Sequence, residues 1–169
     1  SPAKGGVGGT AEPKHYVWAA GQNSYGELGL GDTSQRRKFT ELPSQLYLNN
    51  QIVSLGAGNE HSVFVTKRGK LFVVGYNENG QCGLGNTQQA RGPHALYALE
   101  NEDVAQVHVY NGCEHTLAIT TEGKLYSFGY NYRGQLGLGT TTSEVSPQLV
   151  RSLSTRRVVS AASSYHHSL

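Results

Sequence analysis

The chain has 169 residues, enough for one ordinary domain with a core of its own. Fourteen Lys and Arg against twelve Asp and Glu leave a net charge of +2, too weak a field to draw nucleic acid or an anionic membrane. Two cysteines 31 residues apart, Cys82 and Cys113, lack CxxC spacing, which speaks against a disulfide framework or a zinc site, and no apolar run approaches the roughly 18 residues of a membrane span.

Residues 1–14, SPAKGGVGGTAEPK, carry Gly, Pro and Ala but no apolar h-region, and are expected to be a flexible leader. Residues 15–169 are expected to be a repeat segment. GQNSYGELGLG starts at Gly21, GYNENGQCGLG at Gly75 and GYNYRGQLGLG at Gly129, each 54 residues after the last. Glycine falls at offsets 0, 5, 8 and 10 of each copy, Asn at offset 2 (Asn23, Asn77, Asn131) and Leu at offset 9. The text between them repeats too. IVSLGAG, HSVFVT and KLFVVG correspond to VAQVHVY, HTLAIT and KLYSFG; a fourth strand is expected near PHALYAL and PQLVRSL. Gly69 and Gly123 stand where a short hairpin loop needs a left-handed residue. SSYHHSL closes the chain as a clipped instance. The units are placed at about 16–50, 51–104 and 105–157, with a truncated one at 158–169.

Four short strands per unit, without strict polar alternation, predict sheets stacked face to face with both faces of their middle strands buried. Trp18, Phe72 and Tyr126 are equivalent and are expected to form an aromatic layer between neighbouring sheets. The glycines are not a phosphate cradle. Gly26, Gly80 and Gly134 are followed by Glu27, Gln81 and Gln135, not by the Lys-Ser or Lys-Thr of a P-loop, and no GxGxxG occurs. They are read as turns and close backbone approaches.

The unit HSxxxTxxGKLYxxGxNxxGQLGLG resembles the regulator of chromosome condensation (RCC-type) repeat over residues 16–169. The resemblance implies an all-β, RCC-type β-propeller, incomplete here: two whole four-stranded blades plus part-blades at each end, or a ring completed by another chain. It implies a binding platform within a larger regulatory protein. It also brings two alternatives: guanine-nucleotide exchange on a small GTPase, and the substrate-recruiting arm of a large ubiquitin ligase. Exchange uses a wedge inserted in one blade, and the constant 54-residue spacing holds no insertion. The family's photoreceptor needs clustered tryptophans in the loops before the repeated His. Those loops read Asn59-Glu60, Cys113-Glu114 and Tyr165-His166, and Trp18 is the single Trp.

The expectation is therefore a non-catalytic interaction scaffold, cytoplasmic or nuclear, with reduced thiols, no cofactor and no metal. Its partners are expected to be proteins, not membrane or nucleic acid, with self-association completing the propeller as a further reading. His61, His115 and His167, each followed by Ser or Thr, are read as packing residues, because adjacent strand residues point to opposite faces. Glu60, Glu114, Tyr110 and Tyr165 in the loops before the strands, with Tyr132 and Arg133 in the third glycine loop, are the candidate protein contacts.

Overall fold

The computed structural model describes residues 16–43 and 51–169. The leader expected at 1–14, and residues 44–50 at the close of the first unit, lie outside the described residues.

Among the described residues ten strands form three antiparallel sheets. β1 (Trp18–Gly21) and β2 (Arg36–Glu41) make a two-stranded sheet. β3 (Ile52–Ala57), β4 (His61–Thr66), β5 (Leu71–Gly75) and β6 (Ala90–Ala95) follow as a four-stranded meander. β7 (Val104–His108), β8 (His115–Thr120), β9 (Leu125–Gly129) and β10 (Glu144–Leu149) repeat it. Each inner hairpin turns on a left-handed glycine, Gly69 at φ +72° and Gly123 at φ +84°.

The fourth strands differ from expectation. β6 and β10 begin upstream of PHALYAL and PQLVRSL, and short 3-10 turns occupy Tyr97–Leu99 and Arg151–Leu153. Pro93 and Pro147 lie inside β6 and β10, which are edge strands, where a missing N–H leaves no ladder bond unmade. The same outer strand in the first sheet is RRKFTE, whose charges conceal it from an apolar pattern.

Alternate residues of β4 serve two interfaces. Phe64 joins Leu42, Phe72 and Val74 in a cluster against Val17 and Ala19 of the first sheet. Val63 and Val65 join Val73, Val107, Ala118 and Phe128 in a larger cluster against the third sheet. The middle strands are therefore buried on both sides, and their sequences lack alternation for that reason. The single aromatic layer is corrected. Phe72 belongs to the first interface and Tyr126 to the second, where its hydroxyl donates to Glu102 Oε1 at 2.7 Å. Trp18 is 53% exposed. Equivalent residues of successive sheets face successive interfaces, so they cannot share one.

The repeated asparagine staples each glycine loop. Asn77, fully buried, donates through Nδ2 to the carbonyls of Asn86 and Gln88, both at 2.9 Å, and its Oδ1 accepts the Cys82 N–H at 2.8 Å. Asn131 does the same with Thr140, Thr142 and Leu136. Asn77→Ala strands one buried donor and two carbonyls, and we expect a loss of about 2–4 kcal/mol in urea unfolding. Asn77→Asp, which keeps the acceptor but turns a buried carboxylate oxygen on the two carbonyls, should lose at least as much as alanine.

Segment 158–169 is extended but forms only one isolated bridge, Ser163 to Ser168. The inner strands expected there are not developed. No strand among the described residues flanks His167–Leu169 on its other side.

Candidate functional site: one loop face

Register fixes which loops share a face. His61 pairs with Gly75 and His115 with Gly129, so the loops entering β4 and β8 and the glycine loops leaving β5 and β9 gather at one end of the sheets. All six candidate residues lie at that end. Tyr110, Tyr132 and Tyr165 are exposed by 69%, 65% and 54%. Tyr132 packs beside Tyr130 with ring centroids 4.9 Å apart, and Tyr165 meets His166 edge-on at 4.3 Å. Arg133 is exposed in the third glycine loop.

Glu60 and Glu114 sit near enough to sense one another. Partial burial first, then the charges of Glu27 and Glu114, hold the Glu60 carboxyl above its ordinary pKa. Glu114 accepts from Asn79 Nδ2 at 2.8 Å. Neither carboxylate has an ion-pair partner among the described residues. Beside them Tyr25, which with Tyr132 and Arg133 was expected to form a patch of the glycine loops, instead meets Tyr76 edge-on at 4.9 Å, and Tyr76 was not among the candidates. The Tyr76 hydroxyl donates to Glu78 at 3.0 Å, and burial with that carboxylate pushes its pKa up to about 12. Tyr76 and Tyr130 share offset 1 of the repeat, a recurrence visible in the sequence.

The repeated histidines lie beneath this face and link one sheet to the next. His61 Nε2 is 3.1 Å from the Thr116 hydroxyl, which donates to the Gln81 carbonyl at 2.8 Å. His115 Nε2 is 2.8 Å from the Ser168 hydroxyl, which donates to the Gln135 carbonyl at 2.8 Å. A hydroxyl that gives its proton to a carbonyl accepts from the imidazole, so each ring carries its proton on Nε2. The partner is the hydroxyl of the following sheet, not the adjacent one.

With Nε2 protonated, each Nδ1 is a bare acceptor. Cys113 Sγ lies 3.2 Å from His115 Nδ1, a distance that also suits a nucleophile and base. The thiol is fully buried and also contacts the carbonyls of His115 and Ser164, so it works as an internal donor. Asn59 stands at the equivalent place and is exposed, which leaves His61 Nδ1 buried with no partner. Burial, then the neighbouring His115, lowers the His61 pKa to about 3; burial, then His167, lowers that of His115 to about 4. His166 and His167 are exposed, and no set of three ligating side chains gathers among the described residues. No described helix is long and apolar enough to cross a membrane.

Family models described as the regulator of chromosome condensation (RCC1) repeat match residues 14–65, 68–119 and 122–169. The first two spans each take the outer strands of one sheet and the inner strands of the next, and the third takes β9, β10 and segment 158–169, so the sequence repeat and the sheet are out of phase. The Ultraviolet-B receptor UVR8 of Arabidopsis thaliana is 34% identical over 91% of this chain, which spans 34% of that protein. The probable E3 ubiquitin-protein ligase HERC4 of Mus musculus is 35% identical over 89% of the chain, which spans 14% of it. Yeast RCC1, solved bound to Kap60, superposes with a TM-score of 0.71 over 90% of this chain and 37% of its own, at 19% identity. That likeness shows the fold: a nearly all-β propeller segment with partial blades at its ends.

Proposed function

The chain belongs to the RCC1 repeat family, and on that premise we propose that it is a non-catalytic protein-interaction scaffold whose loop face takes the partner, within a larger regulatory assembly of the cytoplasm or nucleus. One observation carries the reading. Both four-stranded sheets deliver their entering loop and their glycine loop to the same end, and that end presents exposed tyrosines beside carboxylates with no cation paired to them among the described residues. Tyrosine offers large amphipathic contact area at low entropic cost. The Asn staples and the inter-sheet hydrogen bonds hold those loops without help from a ligand. Glu60, Tyr110, Glu114, Tyr132, Arg133 and Tyr165 are the contacts assigned to this role.

The relatives divide on what such a face serves, since one is named a receptor and another a ligase. A photo-crosslinker at Tyr132 should capture protein partners that the same group at Lys67, on the opposite face, does not. Tyr110→Ala and Tyr165→Ala should shift unfolding by no more than about 0.5 kcal/mol, as exposed positions do, while abolishing that capture. Equal capture from both faces would overturn the assignment. Stimulated nucleotide release from any member of a small-GTPase panel would overturn the scaffold reading itself.

A further inference from the structure

The net charge of +2 hides an uneven distribution. Glu27, Glu60, Glu78 and Glu114 lie in loops of the candidate face, and none has an ion-pair partner among the described residues. The far end of the sheets carries the opposite sign. Exposed Lys67, Arg68 and Lys70 turn β4 into β5, and Arg157 donates to the Thr121 carbonyl of the next hairpin at 2.9 Å.

The repeat itself tells whether the fold needs the carboxylates. Offset 6 of the glycine loop accepts the N–H of offset 4. Gln81 does so for Asn79 and Gln135 for Arg133, both at 3.0 Å, and Glu27 does so for Tyr25 at 2.8 Å. A neutral amide therefore fills the place twice and a carboxylate once. Yet Glu27 is only 8% exposed, and its second oxygen has no hydrogen-bond partner among the described residues. It also crowds Glu60: a Cβ on Gly75 would run into the Glu60 carbonyl and lie 3.2 Å from Glu27 Cβ. The residue before the repeated His is Glu60, Glu114 or His166, so a carboxylate is not required there either. Burial and mutual repulsion make the Glu27, Glu60 and Glu114 set costly, and the other repeats do without it.

The surroundings of these groups select the kind of cation. Among the described residues no three carboxylates gather closely enough to hold a metal ion. Tyrosines accompany them instead. Tyr25 shares the loop of Glu27 and Tyr76 that of Glu78, with the two rings edge-on at 4.9 Å, and exposed Tyr110 shares the loop of Glu114. A guanidinium presents planar, paired donors to carboxylates and stacks on tyrosine rings, so it uses both features.

We infer that the loop face binds a basic, arginine-bearing segment of its protein partner. Glu60 and Glu114 take the guanidinium groups, Tyr76 and Tyr110 take their flat sides, and Glu27 strengthens the field from its buried place. The inference rests on the loop-face reading above and supplies the chemistry of the partner.

Fluorescence anisotropy on the 169-residue chain tests it with a fluorescein-labelled peptide of alternating arginine and alanine, beside the same peptide with glutamate for arginine. The arginine peptide should bind, more weakly as salt is added, and the glutamate peptide should not. Glu60→Gln with Glu114→Gln should weaken binding at least about tenfold. Glu27→Gln copies the other two repeats, so it should weaken binding severalfold without lowering the urea midpoint. Glu100→Gln with Glu122→Gln, at the far end, should leave the affinity unchanged. Equal losses from the two double variants, or no loss from either, overturn the inference. An arginine peptide that does not bind, while the crosslinker at Tyr132 still captures a protein, overturns the inference and leaves the loop-face reading standing. Failure of both takes that reading with it.

Discussion

Gly80→Ala is expected to destabilise the fold by at least about 4 kcal/mol. A Cβ at Gly80 would stand 2.6 Å from Val145 Cα and 2.7 Å from the Glu144 carbonyl oxygen. Both are backbone atoms of β10 in the next sheet, so relief requires the sheets to separate, and their shared cluster of Val63, Val73 and Phe128 would open with them. The left-handed φ of +81° adds its own cost of about 1–2 kcal/mol. Gly85→Ala isolates that smaller share: its φ is +76°, but its nearest neighbour would be the Ser146 hydroxyl at 3.6 Å. Urea titrations of the two variants should therefore differ by at least about 2 kcal/mol. Equal losses would mean that glycine is needed here only for its backbone freedom.

That comparison separates two uses of glycine which the sequence presents identically. The period of 54 residues and the fixed offsets were enough to place the sheets, because a repeat that cannot bury its faces alone has to stack. Residue type was enough for β4, β5 and β8, whose apolar runs are buried on both faces, and for β9, whose second half is buried. It failed at β2, where Arg36, Arg37 and Lys38 sit on an outer strand with little to bury. The prolines misled in β6 and β10, because only the sheet order shows those strands to be edges. The candidate loops were chosen from their place before the repeated His and within the repeated glycine stretch. The contact of Tyr25 with Tyr76 was not legible there, since the two come from different repeats at different offsets and meet only once the sheets are stacked. The His–hydroxyl contact was missed for the same reason: its partners are 55 and 53 residues apart, and adjacency in sequence pointed at the wrong hydroxyl. The signal was present all the same. A His-Ser or His-Thr pair recurring once per unit, in strands that stack, allows each imidazole to reach the next hydroxyl.

Those contacts make the stack sensitive to acid. His61 and His115 are neutral in the fold, with pKa values lowered to about 3 and about 4 by burial, against 6.5 for the free side chain. Between those values the unfolded chain binds protons that the folded chain refuses, so stability falls as pH drops from about 6.5 towards 4 and 3 and is fully present above that window. Each unit of depression corresponds to about 1.4 kcal/mol, and the two sites together make the expected loss several kcal/mol. Asp32, whose carboxyl is held below its ordinary 3.8 chiefly by a hydrogen bond from Arg36, adds acid sensitivity only at the bottom of the range. Glu60 acts in the opposite sense, since a carboxyl with a raised pKa takes up its proton more readily in the fold. Urea unfolding at a series of pH values should show the slope between pH 6.5 and 4. His61→Gln with His115→Gln keeps an amide donor near each hydroxyl but removes the titration. The double variant should start less stable at neutral pH and lose little more on acidification. A double variant as acid-sensitive as the parent would place the proton uptake elsewhere, and a flat parent profile would mean that the two rings do not remain neutral in the folded chain.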